Sequence, residues 1–167
     1  DATASLQNAG LSTETDWGQP KTTQEMIKGL KNLGIKTIRI PISWHNHISK
    51  VSDYTIDSKW MNRVKQIVDW AYEEDMYVIM NIHHDNCTKD NFEKTIGFYP
   101  SEECKDESIK YITRVWEQVS ETFKDYDEKL VFEILNEPRL QGDEHEWNYN
   151  SGCSTCKDAM NSLNEFN

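Results

Sequence analysis

Two rhythms of apolar positions alternate along the chain. Thr22-Thr23-Gln24-Glu25 has the Thr-x-x-Glu form of a capping box, and Met26, Ile27, Leu30 and Leu33 follow at helical spacing until Gly34. That predicts a helix of about 12 residues. Lys36 to Ile42 is β-branched and broken at Pro41, which cannot donate to a central ladder, so it reads as a strand. Asp57 or Ser58 then caps a second helix with Trp60, Met61, Val64, Ile67, Val68 and Ala71 on one stripe, and Tyr77 to Ile82 forms the next strand. A third helix is expected over 107–124, with Ile109, Ile112, Val115, Trp116, Val119 and Phe123 inward. A strand over 130–135 and a helix from near Cys156 to Asn167 complete the series.

The order α-β-α-β-α-β-α, with near-continuous apolar strands, is that of a parallel sheet built by right-handed crossovers. Both an open doubly wound sheet and a (β/α)8 barrel fit this α/β pattern. No Gly-rich loop joins a strand to a helix, which leaves the nucleotide-binding form of the open sheet little support.

Composition narrows the partners. Of the 167 residues 37% are apolar, enough for one core, so a single globular piece over 1–167 is expected. A net charge of −11 and no Lys/Arg cluster longer than a dipeptide argue against nucleic acid and anionic membranes. The apolar runs are too short to span a bilayer, and no signal peptide opens the chain, so a soluble, processed protein is expected. Cys87, Cys104, Cys153 and Cys156 fall in segments that read as loops. An even number of loop cysteines favours disulfides and a secreted, extracellular protein, with three pairings open. Free thiols are the next reading. A four-cysteine zinc site seeded by Cys153-Ser-Thr-Cys156 is weaker, because Cys87 and Cys104 lie 17 residues apart.

Chemistry concentrates where strands end. Side chains alternate across a strand, so Thr37 and Arg39 share one face, Asn81 and His83 another, and Glu133, Leu135 and Glu137 a third. Each strand delivers polar residues at its C-terminal end: Arg39, then His83-His84-Asp85, then Asn136-Glu137. One such Arg or His is more often an ordinary surface residue. Three strands doing so together match the face on which barrel active sites are built. Glu137, expected between apolar strands with a raised pKa, can protonate a leaving group while Asn136 holds a substrate hydroxyl. Pro138 stops the ladder and sets the turn that presents both.

Asn136-Glu137-Pro138, Arg39 within Thr-Ile-Arg-Ile-Pro-Ile-Ser-Trp, and Asn81-Ile-His-His-Asp85 together resemble glycoside hydrolase family 5, the retaining cellulase family of the (β/α)8 clan. The segment from Thr13 to Thr23 resembles its endoglucanase branch of clostridial and rumen bacteria. The resemblance implies that Glu137 is the general acid/base and that Asn136 contacts the sugar 2-hydroxyl. It also implies that Arg39 and His83 support the nucleophile and the adjacent sugar, with His84 among the substrate contacts, and that no metal or cofactor takes part.

A retaining glycosidase needs two carboxyl groups about 5 Å apart. Glu133 precedes Glu137 by four residues, or roughly 13 Å along a strand, and reads instead as a satisfied buried acid. In the family the nucleophile is a glutamate on the seventh strand, which implies a position beyond Asn167. A whole barrel takes about 250 residues. The chain is therefore expected to hold strands two to four of eight, with Asp1-Ala2 as the end of the first. The rest would be supplied by a complementary barrel half or second chain.

Trp17, Trp44, Tyr99 and Trp147 lie in the loops after strand ends, where they can stack on pyranose rings or simply pack the loops. An acidic, aromatic-lined cleft suits endo-cleavage of a neutral β-1,4-glucan, with xyloglucan and mannan as alternatives. Two rivals remain. One is a non-catalytic carbohydrate-binding fragment. The other is a metal-dependent hydrolase using His45, His47 and the His83-His84-Asp85 cluster.

Overall fold

The computed structural model describes residues 10–167, so the expectation for Asp1-Ala2 lies outside the described residues. A 3-10 turn over Gly10–Thr15 leads into α1 (Gln24–Asn32), and Thr23 caps it by accepting from the Met26 N–H at 3.3 Å. The cap is thus one residue later than the Thr22 box, because the Thr22 N–H donates to Glu14 Oε1 at 2.8 Å instead. Gly34 ends α1 with φ 85°, its N–H bonding Lys31 O while the Ile35 N–H bonds Leu30 O. That is a Schellman stop, which a left-handed glycine allows. Only Ile27 of α1 is buried, and Leu33 stays 80% exposed.

Strand β1 (Thr37–Ile40) stops at Pro41 as expected. The next segment reads as a loop in sequence, yet it forms a hairpin of β2 (Ile48–Lys50) and β3 (Thr55–Ile56), turned at Tyr54 with φ 52°. Such two- and three-residue strands are too short to show alternation. Helix α2 (Ser58–Glu73) is capped by Asp57, which accepts from the Lys59 and Trp60 N–H groups, and the whole expected stripe from Trp60 to Ala71 is buried. Strand β4 (Tyr77–Asn81), helix α3 (Lys105–Thr122), strand β5 (Leu130–Glu133) and helix α4 (Ser154–Phe166) follow. Inward residues of α3 include Ile112, Val115 and Val119, and also Tyr111.

The three long strands pair in parallel in the order β1-β4-β5, with Arg39 opposite Ile79 and Asn81 opposite Glu133. Val78, Met80 and Ile82 are fully buried, as are Val68 and Ala71 from α2 and Val115 and Val119 from α3. Each of these valine, methionine and isoleucine side chains contributes about 1.5–3 kcal/mol on leaving water, so this layer carries the stability. The opposite face is open: Arg39, Tyr77 and Val131 are exposed. No described helix is long and apolar enough to cross a membrane.

The cysteines correct the disulfide expectation. All four are free thiols, and Cys87, Cys104 and Cys156 are buried. The loops that carry them fold under the sheet end: Cys104 packs with Tyr99, Leu140 and Ala159, and Cys87 Sγ lies 3.3 Å from Thr95 Oγ1. The argument from disulfides to secretion therefore loses its support.

Candidate active site

The strand register continues past the last ladder residues. His83 N–H donates to Ile42 O at 2.8 Å and Asn136 N–H to Ile82 O at 2.9 Å, which sets both residues level at the C-terminal edge. Arg39 ties Asn136 to Glu133. Its Nε and Nη2 donate to Glu133 at 2.7 and 2.6 Å, and Nη2 also donates to Asn136 Oδ1 at 2.8 Å. This forked bond holds Glu133 below the usual carboxylate range. Glu133 is indeed satisfied, but a third of its side chain is exposed, so it is not the deeply buried acid expected.

Asn136 is oriented by the same clamp. With Oδ1 engaged by Arg39, its Nδ2 is the group left to donate to a ligand. His83 is held by Asn81 Nδ2, 3.2 Å from its Nδ1, and Asn81 Oδ1 accepts from the Ile42 N–H. Burial, then His84 and Arg39, push the His83 pKa below its ordinary value, which keeps the ring neutral near pH 7.

Glu137 lies beyond the ladder on the turn made by Pro138. Its backbone is left-handed at φ 41°, and its side chain is 64% exposed, with Arg139 Nη1 3.7 Å from Oε2. It is not enclosed between apolar strands as expected, because β5 is the edge strand of the three-stranded sheet in this chain and only one neighbouring strand flanks it. A non-glycine residue in this region costs on the order of 1–2 kcal/mol, a strain that clusters at functional positions.

An open cavity of about 490 Å³ runs along the ends of β1 and β4, walled by Trp17, Gln19, Pro20, Asn46, His83 and His84. Trp17 is 75% exposed and lies 5.4 Å from the His84 ring. The segment bearing it is anchored by buried Arg63 of α2, which donates to both Glu14 oxygens and to Thr22 O. Asn46 lines this cavity, and its Oδ1 is buried without a partner among the described residues.

The four aromatic candidates divide evenly. Trp147 is exposed, with the Arg139 guanidinium 4.4 Å above its ring. Trp44 and Tyr99 correct the sequence reading: at 0% and 2% exposure they offer no face to a sugar. Trp44 instead donates its Nε1–H to Asn81 O at 3.1 Å and braces the site from behind.

A second cluster escaped the sequence reading. Asp85 is fully buried and accepts from the Trp44 N–H, from Tyr111 OH at 2.7 Å, and lies 2.7 Å from His45 Nδ1. Burial acts to lower the His45 pKa, and the Asp85 carboxylate outweighs it, so the net shift is upward. The metal reading of His45, His47, His83, His84 and Asp85 finds no support in the geometry: among the described residues their ligand atoms do not gather as a group of three. His45 is bound to Asp85, whereas His47 stacks on Trp60 at 3.7 Å and lies 2.8 Å from Thr13 Oγ1. The signal for the cluster was an acid after a strand with a tyrosine on the inward stripe of the next helix.

A parallel α/β sheet with its polar groups gathered at the C-terminal strand ends is the arrangement of a (β/α)8 barrel segment. The cellulase family model, glycosyl hydrolase family 5, matches residues 1–166, and the chain belongs to that family. Endoglucanase A of Ruminococcus albus is 42% identical over 148 residues, 89% of this chain but 37% of its own length. Among solved structures, the catalytic domain of CelCCA superposes with TM-score 0.86 at 44% identity, over 93% of this chain and 39% of that one. A family 5 lichenase from Caldicellulosiruptor sp. F32, in complex with cellotetraose, superposes with TM-score 0.86 at 43% identity, over 94% and 40%. The chain thus spans about two fifths of the length of these relatives. The open face of the sheet corresponds to the interior of a TIM barrel, of which this chain is a part.

Proposed function

We propose that the protein carrying this chain is a retaining endo-β-1,4-glucanase, and that this segment supplies its acid/base half. The observation that carries the reading is the Arg39 clamp, which fixes Asn136 at the strand end beside Glu137. In that arrangement Glu137 protonates the glycosidic oxygen as the bond breaks, then draws a proton from water when the glycosyl-enzyme is hydrolysed. Asn136 Nδ2 donates to a sugar hydroxyl, neutral His83 holds the adjacent ring, and Trp17 and Trp147 offer faces for stacking.

The nucleophile must stand about 5 Å from the acid/base. Glu133 is committed to Arg39 and Asp85 is buried under three donors, so neither fits the part. We assign it to a glutamate outside these residues, and the isolated chain is expected to be inert. The family relationship, with a lichenase that holds cellotetraose, supports a β-glucan as substrate.

Replacing the acid is the test. In the enzyme carrying this chain, Glu137→Gln is expected to lower β-glucan hydrolysis by about 10²–10⁴-fold while leaving the fold intact. A variant that keeps more than a tenth of the wild-type rate on β-glucan refutes the assignment.

A further inference from the structure

The loop from β5 to α4 brings three soft or borderline ligands together away from the Glu137 turn. Cys153 is the N-cap of α4, and its Sγ accepts from the Cys156 N–H at 3.3 Å. Cys156 lies one turn further on and is 2% exposed. His145 comes back from the middle of the loop, with its Nδ1 3.9 Å from Cys153 Sγ. The ligand atoms of His145, Cys153 and Cys156 all lie within 4.8 Å of one another.

That spacing is close to what a tetrahedral ion demands. Zinc bonds of about 2.3 Å to sulfur and 2.0 Å to nitrogen place ligand atoms roughly 3.5–3.8 Å apart, so the three groups need to close by only about 1 Å. The histidine is already braced. Asp143 Oδ1 accepts from the His145 backbone N–H at 2.8 Å, which fixes the turn that carries the ring; it also lies 3.2 Å from Nδ1, the nitrogen that faces Cys153, so a bound ion takes the place of that contact. The His145 ring is 22% exposed, which leaves a path for entry.

We propose that His145, Cys153 and Cys156 form a binding site for a zinc-class divalent cation, with water in the fourth position, which clips the β5–α4 loop onto the start of α4. The imidazole is what separates this from a simple dithiol, because a disulfide between Cys153 and Cys156 needs no third group. The same loop carries Glu146, which accepts from Arg139 Nε at 2.7 Å, and Trp147 under the Arg139 guanidinium. A bound ion therefore also holds the aromatic wall next to the Glu137 turn.

Cobalt(II) chloride added to the fully reduced protein is the probe, read by absorption. The expected result is one ion per chain, with thiolate-to-cobalt charge-transfer bands that zinc abolishes by displacement. Cys153→Ser is the deciding variant, since serine keeps the N-cap acceptor and α4 should fold normally. It should lose the charge-transfer signal and bind more than about 100-fold more weakly. Cys87→Ser and Cys104→Ser should change neither. Absence of the bands in the reduced wild type overturns the proposal, and so does undiminished binding in Cys153→Ser. A reduced protein that ignores cobalt but closes a Cys153–Cys156 disulfide on mild oxidation overturns it in favour of a redox pair.

Discussion

Asp85 and Glu137 are both acids just past the end of a parallel strand, and their surroundings differ at every point. Asp85 is fully buried, with the Trp44 N–H, Tyr111 OH and His45 Nδ1 around its two oxygens. Glu137 is mostly exposed on a left-handed turn, with one distant arginine. A carboxylate whose lone pairs are all taken is a structural anchor, and one held out by a strained backbone is available for chemistry. Position along the strand does not separate the two roles; the number of donors facing the group does.

That contrast can be broken at several points. Asp85→Ala strands the Trp44 N–H and Tyr111 OH in a dry interior and should cost about 3–5 kcal/mol, read from the shift in urea midpoint. A loss under 1 kcal/mol would mean that Asp85 is not an anchor.

Gly97 tests the same cluster from the other side. Its φ is 149°, and an added Cβ would meet Asp85 O at 2.2 Å and Cys87 Sγ at 2.8 Å. The first of these is backbone and cannot swing away, so Gly97→Ala should destabilise by about 1–3 kcal/mol. Thermal unfolding of the pair of proteins measures it.

The histidines around the anchor predict a pH dependence. Burial, with His45 nearby, lowers the His47 pKa to about 4 from an ordinary 6.5. The unfolded chain therefore binds more protons than the folded one between those values. The stability that His47 contributes is complete above pH 6.5 and is lost as pH falls toward 4, by up to about 1.4 kcal/mol per unit. His45 is shifted the other way, so its contribution is fully present below its unfolded pKa and is lost as pH rises through the folded one. His47→Phe keeps a ring against Trp60 and removes only the first effect. Denaturant unfolding at pH 7 and pH 5 should show the variant less acid-sensitive than the wild type, and equal sensitivity would disprove the assignment.

The smallest effect belongs to the exposed acid. Glu137→Gly should leave stability unchanged or raise it by about 1 kcal/mol, since glycine accepts φ 41° without strain. A destabilisation of several kcal/mol would show that Glu137 is itself an anchor and would close the gap between the two acids.

Much of this was legible in the residues themselves. The α2 stripe from Trp60 to Ala71, the Gly34 stop, the strand end at Pro41 and the placement of Arg39, His83 and Asn136 toward the C-terminal ends of their strands follow from local rules. Helical and strand periods, caps and proline act over a few neighbours, and those neighbours are contiguous in the chain. The β2–β3 hairpin, the free cysteines, the burial of Trp44 and Tyr99, and the exposure of Trp17 and Trp147 were not legible in this way. Each depends on which distant segments come to rest on it. Trp44 is covered because Asp85 and Asn81 reach it from β4 and the turn beyond, while Trp17 has Arg63 beneath its anchor and solvent above. The three ligands of the proposed cation site make the same point: Cys153 and Cys156 announce themselves as a pair, but only the folding back of the β5–α4 loop brings His145 within reach of both sulfurs.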